Sequence, residues 1–415
     1  MAETILRPTV AIIGAGPAGL RAARELAPVI DGPVLVLDRE REPGGIPRHA
    51  EHPGYGIRDL GRFMTGPAYA RRLAEDARQA GAEIRTGAQA TGWSADGRLQ
   101  LTSARGREVL KPEVLILATG ARERPRTARM IPGDRGAGIY TTGQLQQLVH
   151  LKHQPVGHQA VIVGAELVSW SAALTLKQAG CQPRLLVTRH PRPDSYRLFS
   201  APGTVYFGAK VATSSRIVRV EGKPRVQAVI VENIRSGVRK RIECDTVVFT
   251  GDWIPDNELA RMAGLSLDAG SRSPLVDASL RTSQPGIFAI GNLIHPVETA
   301  DAAALDGVQV VQPVRDYLLG KRPAKRGYTI KATAPLRWIV PGRIDEGDPR
   351  PARNRLVAWC DSLIRFPTVV ASQDGRELHR MRLAWPAAPG RAFRIPADIL
   401  RSAKPGAGEV TISLC

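Results

Sequence analysis

An α/β fold with two Rossmann-like three-layer domains and a small β-rich C-terminal domain is what three features of this sequence predict. The first is a strand–turn–helix signature near the N-terminus. The second is its partial repeat in the middle of the chain. The third is a change of composition near residue 321, beyond which short apolar runs alternate with Pro/Gly turns.

The N-terminal unit reads VAIIGAGPAGLRAAREL. The β-branched run Val10 to Ile13 predicts a buried strand, and the alanine-rich stretch through Leu26 has helical periodicity. Between them Gly14, Gly16 and Gly19 stand in G-x-G-x-x-G spacing, with Pro17 and Ala18 opening the helix. The three glycines serve different purposes. Gly14 turns the chain, Gly16 lets backbone approach a pyrophosphate, and Gly19 lets helix and strand pack closely. The pyrophosphate would rest on free N–H groups at the positive end of the helix dipole. A second apolar run, Val34 to Leu37, ends on Asp38 and Arg39, about twenty residues past the last glycine, where a carboxylate meets a ribose hydroxyl. Strand, turn, helix and acid agree, so this stretch is read as a dinucleotide cradle.

Next comes a Gly/Pro-rich loop from Gly44, expected to pass over the cofactor through Gly45, and a helix from Pro67 to Ala80 stopped by Gly81. Short strands are expected at Ile84 to Thr86 and within Gly97 to Leu110. A buried strand follows, EVLILATG, ending in Ala118, Thr119 and Gly120.

The middle of the chain holds the second unit, AVIVGAELVSWSAALTLKQAG from Ala160 to Gly180, and the strand Arg184 to Thr188. Aligned on Gly164, the glycine pattern carries Glu166 at its second position and Ser169 at its third. A side chain and a negative charge stand where a pyrophosphate would approach. Arg189 and Arg192 follow the strand, where arginines meet a 2′-phosphate or simply face solvent. NAD(P) binding is therefore left open. The runs Val205 to Phe207, Arg216 to Val220, Val226 to Val231 and Thr246 to Thr250 are read as strands, and KRPAKRGY from Lys321 as a basic linker.

These motifs carry a resemblance. The strand ending in A-T-G-A with a proline-rich exit (Arg122 to Gly133), and TSQPGIFAIGN from Thr282 to Asn292, resemble the two-dinucleotide-domain flavoproteins of the pyridine nucleotide-disulfide oxidoreductase type. The resemblance implies FAD on the first turn, contacted by Gly291 and Asn292 (where the family has an acid), with His295 and the cofactor-binding candidate Glu298 near the flavin, Glu298 being equally placed to serve a helix dipole. It implies domain limits of 1–125 and 256–320 for a discontinuous FAD domain, 126–255 for an NAD(P)-binding-like domain and 321–415 for the C-terminal domain. Family disulfide reductases use a cysteine pair. Here the loop after Gly44-Gly45 reads Ile46-Pro47-Arg48-His49, and Cys181, Cys244, Cys360 and Cys415 are scattered, so thiol–disulfide exchange and metal-ligand patterns are excluded. Arg48 and His49 become the candidate catalytic residues, a cation to stabilise anionic reduced flavin and a proton relay, or else they are loop residues bonding backbone carbonyls. His52 and His150 are read as structural.

The motifs GGIPRH, RFMTGPAYA, PGDRGAGIYTTGQLQ, VGAELVS and GNLIHPVETAD look most like the FAD-dependent subunit that accompanies anaerobic-type glycerol-3-phosphate dehydrogenase. They look more distantly like components of opine, hydroxyproline and sarcosine oxidising complexes. That resemblance implies a redox subunit exchanging electrons between FAD and a partner, either a dehydrogenase of some small molecule or an electron-transfer protein. The alternatives are a self-sufficient NAD(P)H oxidoreductase and a non-catalytic FAD scaffold. A formal charge of +19 favours anionic partners, but aromatics are only 5%, which argues against a nucleic-acid platform and leaves a membrane-surface role weakly supported. The lack of a long apolar run or basic–apolar leader in the N-terminal stretch MAETILRP points to the cytoplasm.

Overall fold

The computed structural model describes residues 4–195, 203–321 and 326–415. The core of the basic linker expected after Lys321 lies outside the described residues. The chain divides into two compact units, one comprising Met1–Arg48, Pro53–Ala121 and Pro255–Cys415, the other His49–His52 and Arg122–Ile254.

In the first unit a five-stranded parallel sheet runs in the order Ile287–Ala289, Val114–Leu117, Val10–Ile13, Val34–Leu37, Glu83–Arg85. Its three central strands are buried along their whole length, which explains their unbroken apolar runs where a half-exposed sheet would alternate. The helices Pro17–Leu26, Gly66–Gln79 and Ala300–Gln309 pack together beside it. A mixed four-stranded sheet of Thr4–Leu6, Gly106–Leu110, Leu99–Ser103 and Ala88–Trp93 belongs to the same unit. Its last strand, Ala88–Trp93, was not visible in the sequence because Gln89, Thr91 and Gly92 interrupt the apolar pattern.

The C-terminal part has its own core, with Leu356, Val369, Phe393, Ile395 and Ile412 fully enclosed. Around it lie a five-stranded sheet, ordered Arg343–Asp345, Gly327–Ala332, Val410–Leu414, Thr368–Gln373, Arg376–Arg382, and a three-stranded one, ordered Leu336–Val340, Arg355–Cys360, Phe393–Pro396. Two ion pairs join it to the rest of the unit. Arg281 donates to Asp277 and to Asp348, and Arg394 donates to Glu298 at 2.7 Å. Asp277, Asp345 and Asp348 cluster closely, and Arg281 pairs with two of them.

The second unit repeats the parallel theme in the order Ile139–Thr141, Thr246–Phe249, Gln159–Val163, Gln182–Val187, Lys210–Ala212. The helix Leu167–Gln178 follows its glycine turn, and an antiparallel sheet of Ser215–Glu221, Ala228–Asn233 and Arg239–Glu243 is inserted before the strand Thr246–Phe249. The run Val205 to Phe207, expected as a strand, is helical: only Phe207 is buried, against Trp170, while Val205 and Tyr206 are exposed.

Candidate functional site: two glycine turns

The two strand–turn–helix units share one backbone scheme. In the first, Gly14 N–H donates to Leu37 O at 2.8 Å; in the second, Gly164 N–H donates to Val187 O at 2.9 Å. This equivalence aligns Ala15 with Ala165, Gly16 with Glu166, Gly19 with Ser169 and Asp38 with Thr188.

The first turn is tight underneath and open above. Gly14 has φ +111°, and a Cβ there would lie 2.4 Å from Ala118 O, while a Cβ on Gly19 would lie 2.0 Å from Gly14 O. Side chains are excluded from both positions by packing. Gly16 differs: its φ of −80° suits any residue, and a Cβ there meets nothing within 4 Å. The fold leaves that space empty above a helix N-terminus that no side chain caps. Asp38 completes the cradle. Its carboxylate accepts from Ala15 N–H at 2.7 Å and Glu40 N–H at 2.8 Å, and burial raises its pKa against the lowering effect of those bonds. Gly45, with φ +62°, comes over the turn so closely that a Cβ would sit 3.0 Å from Gly16 Cα. Main-chain amides, a strand-end carboxylate and an unfilled glycine fit a dinucleotide, with the pyrophosphate on the helix and a ribose on Asp38.

Other sequence-expected residues gather around this turn. Thr119 Oγ1 donates to Asp256 O at 2.7 Å, Gly120 O accepts from Asp256 N–H at 2.9 Å, and Arg39 lies 3.7 Å from the Asp256 carboxylate. Ala118 walls the turn beneath Gly14, and Gly291, at φ +69°, approaches Ala18 so closely that a Cβ would lie 2.6 Å away. Two expectations are corrected. Asn292 Nδ2 donates to Glu298 O at 2.9 Å, so the amide closes its own loop. The Glu298 carboxylate is buried and turned to Arg394, which makes it an anchor for the C-terminal sheets. Of the two roles open to Arg48, the structure shows the loop one: it donates to Glu42 O at 3.0 Å and to the Glu40 carboxylate at 3.1 Å, holding together the loop between Asp38 and Gly45.

His295 is likewise turned inward. Burial opposes a charge on its ring, but the Asp306 carboxylate 2.6 Å from Nε2 outweighs that penalty and raises the pKa. Asp306 also accepts from Gly291 N–H at 2.9 Å, so this pair fixes the Gly291 turn. Sequence reasoning missed a polar lock nearby. Arg58 reaches the buried Asp301 at 3.1 Å, and Tyr69 donates to Asp59 at 2.5 Å. An acid in the first turn of the helix Ala300–Gln309 was the available signal.

The second turn is filled. Glu166 turns its carboxylate back into the loop, where Oε2 accepts from Ala165 N–H at 2.8 Å and from Ser169 Oγ at 3.0 Å. Ser169 is also 2.7 Å from Thr250 Oγ1. The other oxygen lies against Gly251: a Cβ there would be 1.6 Å from Oε1. A second carboxylate, Glu123, accepts from Gly143 N–H at 3.0 Å and Gly251 N–H at 3.2 Å. Arg129, its pKa lowered by burial, donates to Thr250 O at 2.7 Å and Gly251 O at 3.0 Å. Burial pushes Glu123 up to about 7 and Asp194 up to about 7, with the Glu166 charge adding to both, and raises Glu166 itself. In the same unit His49 is buried and His150 lies 3.7 Å from Glu51. All four cysteines are free thiols, three of them buried.

The first turn and the two parallel sheets define a dinucleotide-binding oxidoreductase frame. The chain belongs to the pyridine nucleotide-disulphide oxidoreductase family, whose model matches residues 8–307. It is 30% identical over 311 residues to the biphenyl dioxygenase system ferredoxin–NAD(+) reductase component of Paraburkholderia xenovorans, covering 69% of this chain and 67% of that one. It is 29% identical to a ferredoxin–NADP reductase of Metallosphaera sedula, over 68% of this chain and 84% of the relative. It is 27% identical to one subunit of the opine oxidase of Rhizobium meliloti, over 68% and 58%. The fold is shared with the crystal structure of T. acidophilum thioredoxin reductase at a TM-score of 0.62 and 20% identity, over 76% of this chain and 99% of that one. The protein is an FAD-dependent oxidoreductase. No helix among the described residues is long and apolar enough to cross a membrane.

Proposed function

We propose that this protein is the flavin-bearing subunit of an electron-transfer system, passing electrons between FAD and a partner protein that is either a small-molecule dehydrogenase or an acceptor of the ferredoxin kind. The observation that carries the reading is the open space over Gly16 between the uncapped helix N-terminus and Asp38. When bound, the flavin supplies two-electron and one-electron chemistry that no side chain here offers. The chain's own residues do the rest. The first amides of the helix Pro17–Leu26 and its dipole hold the pyrophosphate, Asp38 orients the adenosine ribose, and Gly45 lets the loop lie close over both. Arg48 is a positioning residue for that loop.

The partner reading draws on two kinds of relative: ferredoxin reductase components, and one part of an opine oxidase. Neither carries the association with glycerol-3-phosphate dehydrogenase. A self-sufficient NAD(P)H oxidoreductase is the second reading, favoured by the names of the ferredoxin reductases and opposed by the filled second turn. A cytoplasmic location belongs to the same proposal.

The test is direct. Protein purified without added cofactor is expected to be yellow and to release FAD on denaturation. After anaerobic dithionite reduction it is expected to be reoxidised by a ferredoxin-type acceptor faster than by buffer alone. Colourless protein that takes up no FAD on reconstitution would refute the flavin reading. Reoxidation no faster than the buffer control, together with no reduction by any dehydrogenase chain encoded beside it, would refute the partner reading.

A further inference from the structure

The family to which this chain belongs implies a nicotinamide nucleotide on the second glycine turn, and the residues present do not fit one. We propose that the Glu166 carboxylate is a built-in occupant of that turn, and that the second unit binds neither NADH nor NADPH.

Three features of the same unit close the turn. The first is the N–H of Ala165. In the first turn the equivalent Ala15 N–H is engaged by Asp38, a carboxylate arriving from the strand end, which leaves Gly16 bare. In the second turn Ala165 N–H is engaged at 2.8 Å by Glu166, from within the turn, so the carboxylate and its methylene stem fill the loop itself. The second is the strand end. Thr188 stands where Asp38 stands, and its hydroxyl donates to Asp194 at 3.0 Å, so no strand-end carboxylate is presented to a ribose. The third is a flap. Asp194 N–H and Ser195 N–H both donate to Ala165 O, at 3.1 and 3.0 Å, and Ser195 Oγ accepts from Trp170 Nε1 at 2.9 Å. The segment leaving the second strand is thereby fastened across the turn.

The occupant is specific to its surroundings. The carboxylate fits only because residue 251 is glycine at φ +59°, with Oε1 in the space a Cβ would need. Ser169, where close packing favours glycine, supplies one of its hydrogen bonds. Glu166, Ser169 and Thr250 thus form one hydrogen-bonded set packed against Gly251, and a pyrophosphate arriving there would have to displace a buried carboxyl group from its partners. Arg189 and Arg192 are exposed on this same segment and can attract phosphate at long range, but the turn behind them is shut.

The consequence for electron supply rests on the flavin reading above; the geometry of the turn does not. The test therefore measures binding, by isothermal titration of NADH and of NADPH into FAD-loaded protein, beside Glu166→Gly, Glu166→Ala and Glu166→Gln variants whose folding is checked by thermal melting. Wild type and Glu166→Gln are expected to show no saturable binding up to millimolar nucleotide. Whichever of the glycine and alanine variants melts cooperatively is expected to gain saturable binding, tighter by about tenfold or more than the wild-type limit. Saturable binding of either nucleotide to wild type overturns the proposal. So does absence of binding in a folded glycine or alanine variant, since Glu166 would then not be what closes the turn. If wild type binds nucleotide while its FAD stays in place, the inference fails and the flavin reading survives.

Discussion

Two turns of near-identical backbone, built from one strand–glycine–helix plan, differ in where a single carboxylate comes from. In the first, Asp38 reaches Ala15 from the neighbouring strand and leaves the space over Gly16 empty. In the second, Glu166 reaches Ala165 from inside the turn and fills it. The lesson is that a dinucleotide fold and a dinucleotide site are separable. Sheet order, helix and register persist in both units, while the residues lining the turn, Glu166 first among them, decide whether a ligand has room.

The largest expected effect comes from carrying the second turn into the first. Gly16→Glu introduces no backbone strain and meets no protein atom with its Cβ, so the first unit should keep its cooperative melt while losing FAD altogether. Flavin absorbance after gel filtration reads this out, and full retention of FAD would break the comparison. Next is the buried pair that fixes the Gly291 turn. His295→Ala leaves the Asp306 carboxylate buried without its cation and should destabilise the protein by roughly 3–5 kcal/mol in denaturant titration. Because His295 titrates above its ordinary value of 6.5 when folded, the pair's contribution is complete below that pH and is lost as pH rises through the raised pKa.

The second unit should respond in a lower window. Glu123 is raised to about 7 from an ordinary 4.5, so the folded form holds its proton more tightly than the unfolded one. Stability from this group is present below pH 4.5 and falls as pH rises from there to about 7, by roughly 1.4 kcal/mol per unit of pKa shift as an upper bound. Glu123→Gln should flatten the melting temperature against pH in that interval; an unchanged slope would show that the carboxyl is not neutral in the fold. The smallest effect is at the ribose. Asp38→Asn keeps an acceptor for Ala15 N–H but removes the charge, and should weaken FAD retention by about 1–2 kcal/mol, near tenfold in Kd, measured by reconstitution titration.

Much of the fold is legible in the sequence. Buried parallel strands announce themselves as unbroken apolar runs, as at Val10 to Ile13 and Val114 to Leu117, because both faces of such a sheet are covered. Gly14 and Gly19 can be read because the fold forbids a Cβ there. Strand Ala88–Trp93 escapes such a reading because polar residues break its pattern, and the helical residues 205–207 because a three-residue apolar run shows no period. Among site residues, the errors share one cause. Motif position points Arg48, Asn292 and Glu298 at the flavin, but their polar ends find partners far away in sequence or within their own loops, and a motif does not report where a side chain turns.

By itself, then, the sequence determined the alternation of strands and helices, the position of both glycine turns, the wide spacing of the cysteines and the presence of an acid at residue 166. It did so because these depend on local periodicity and residue chemistry. Only the tertiary structure decided that Glu166 turns inward onto Ala165 and Gly251, that Glu298 holds Arg394 and that His295 holds Asp306. Those choices depend on which acceptors and cations distant segments bring within about 3 Å, the reach of a hydrogen bond, since a buried charge adopts whichever geometry leaves it paired.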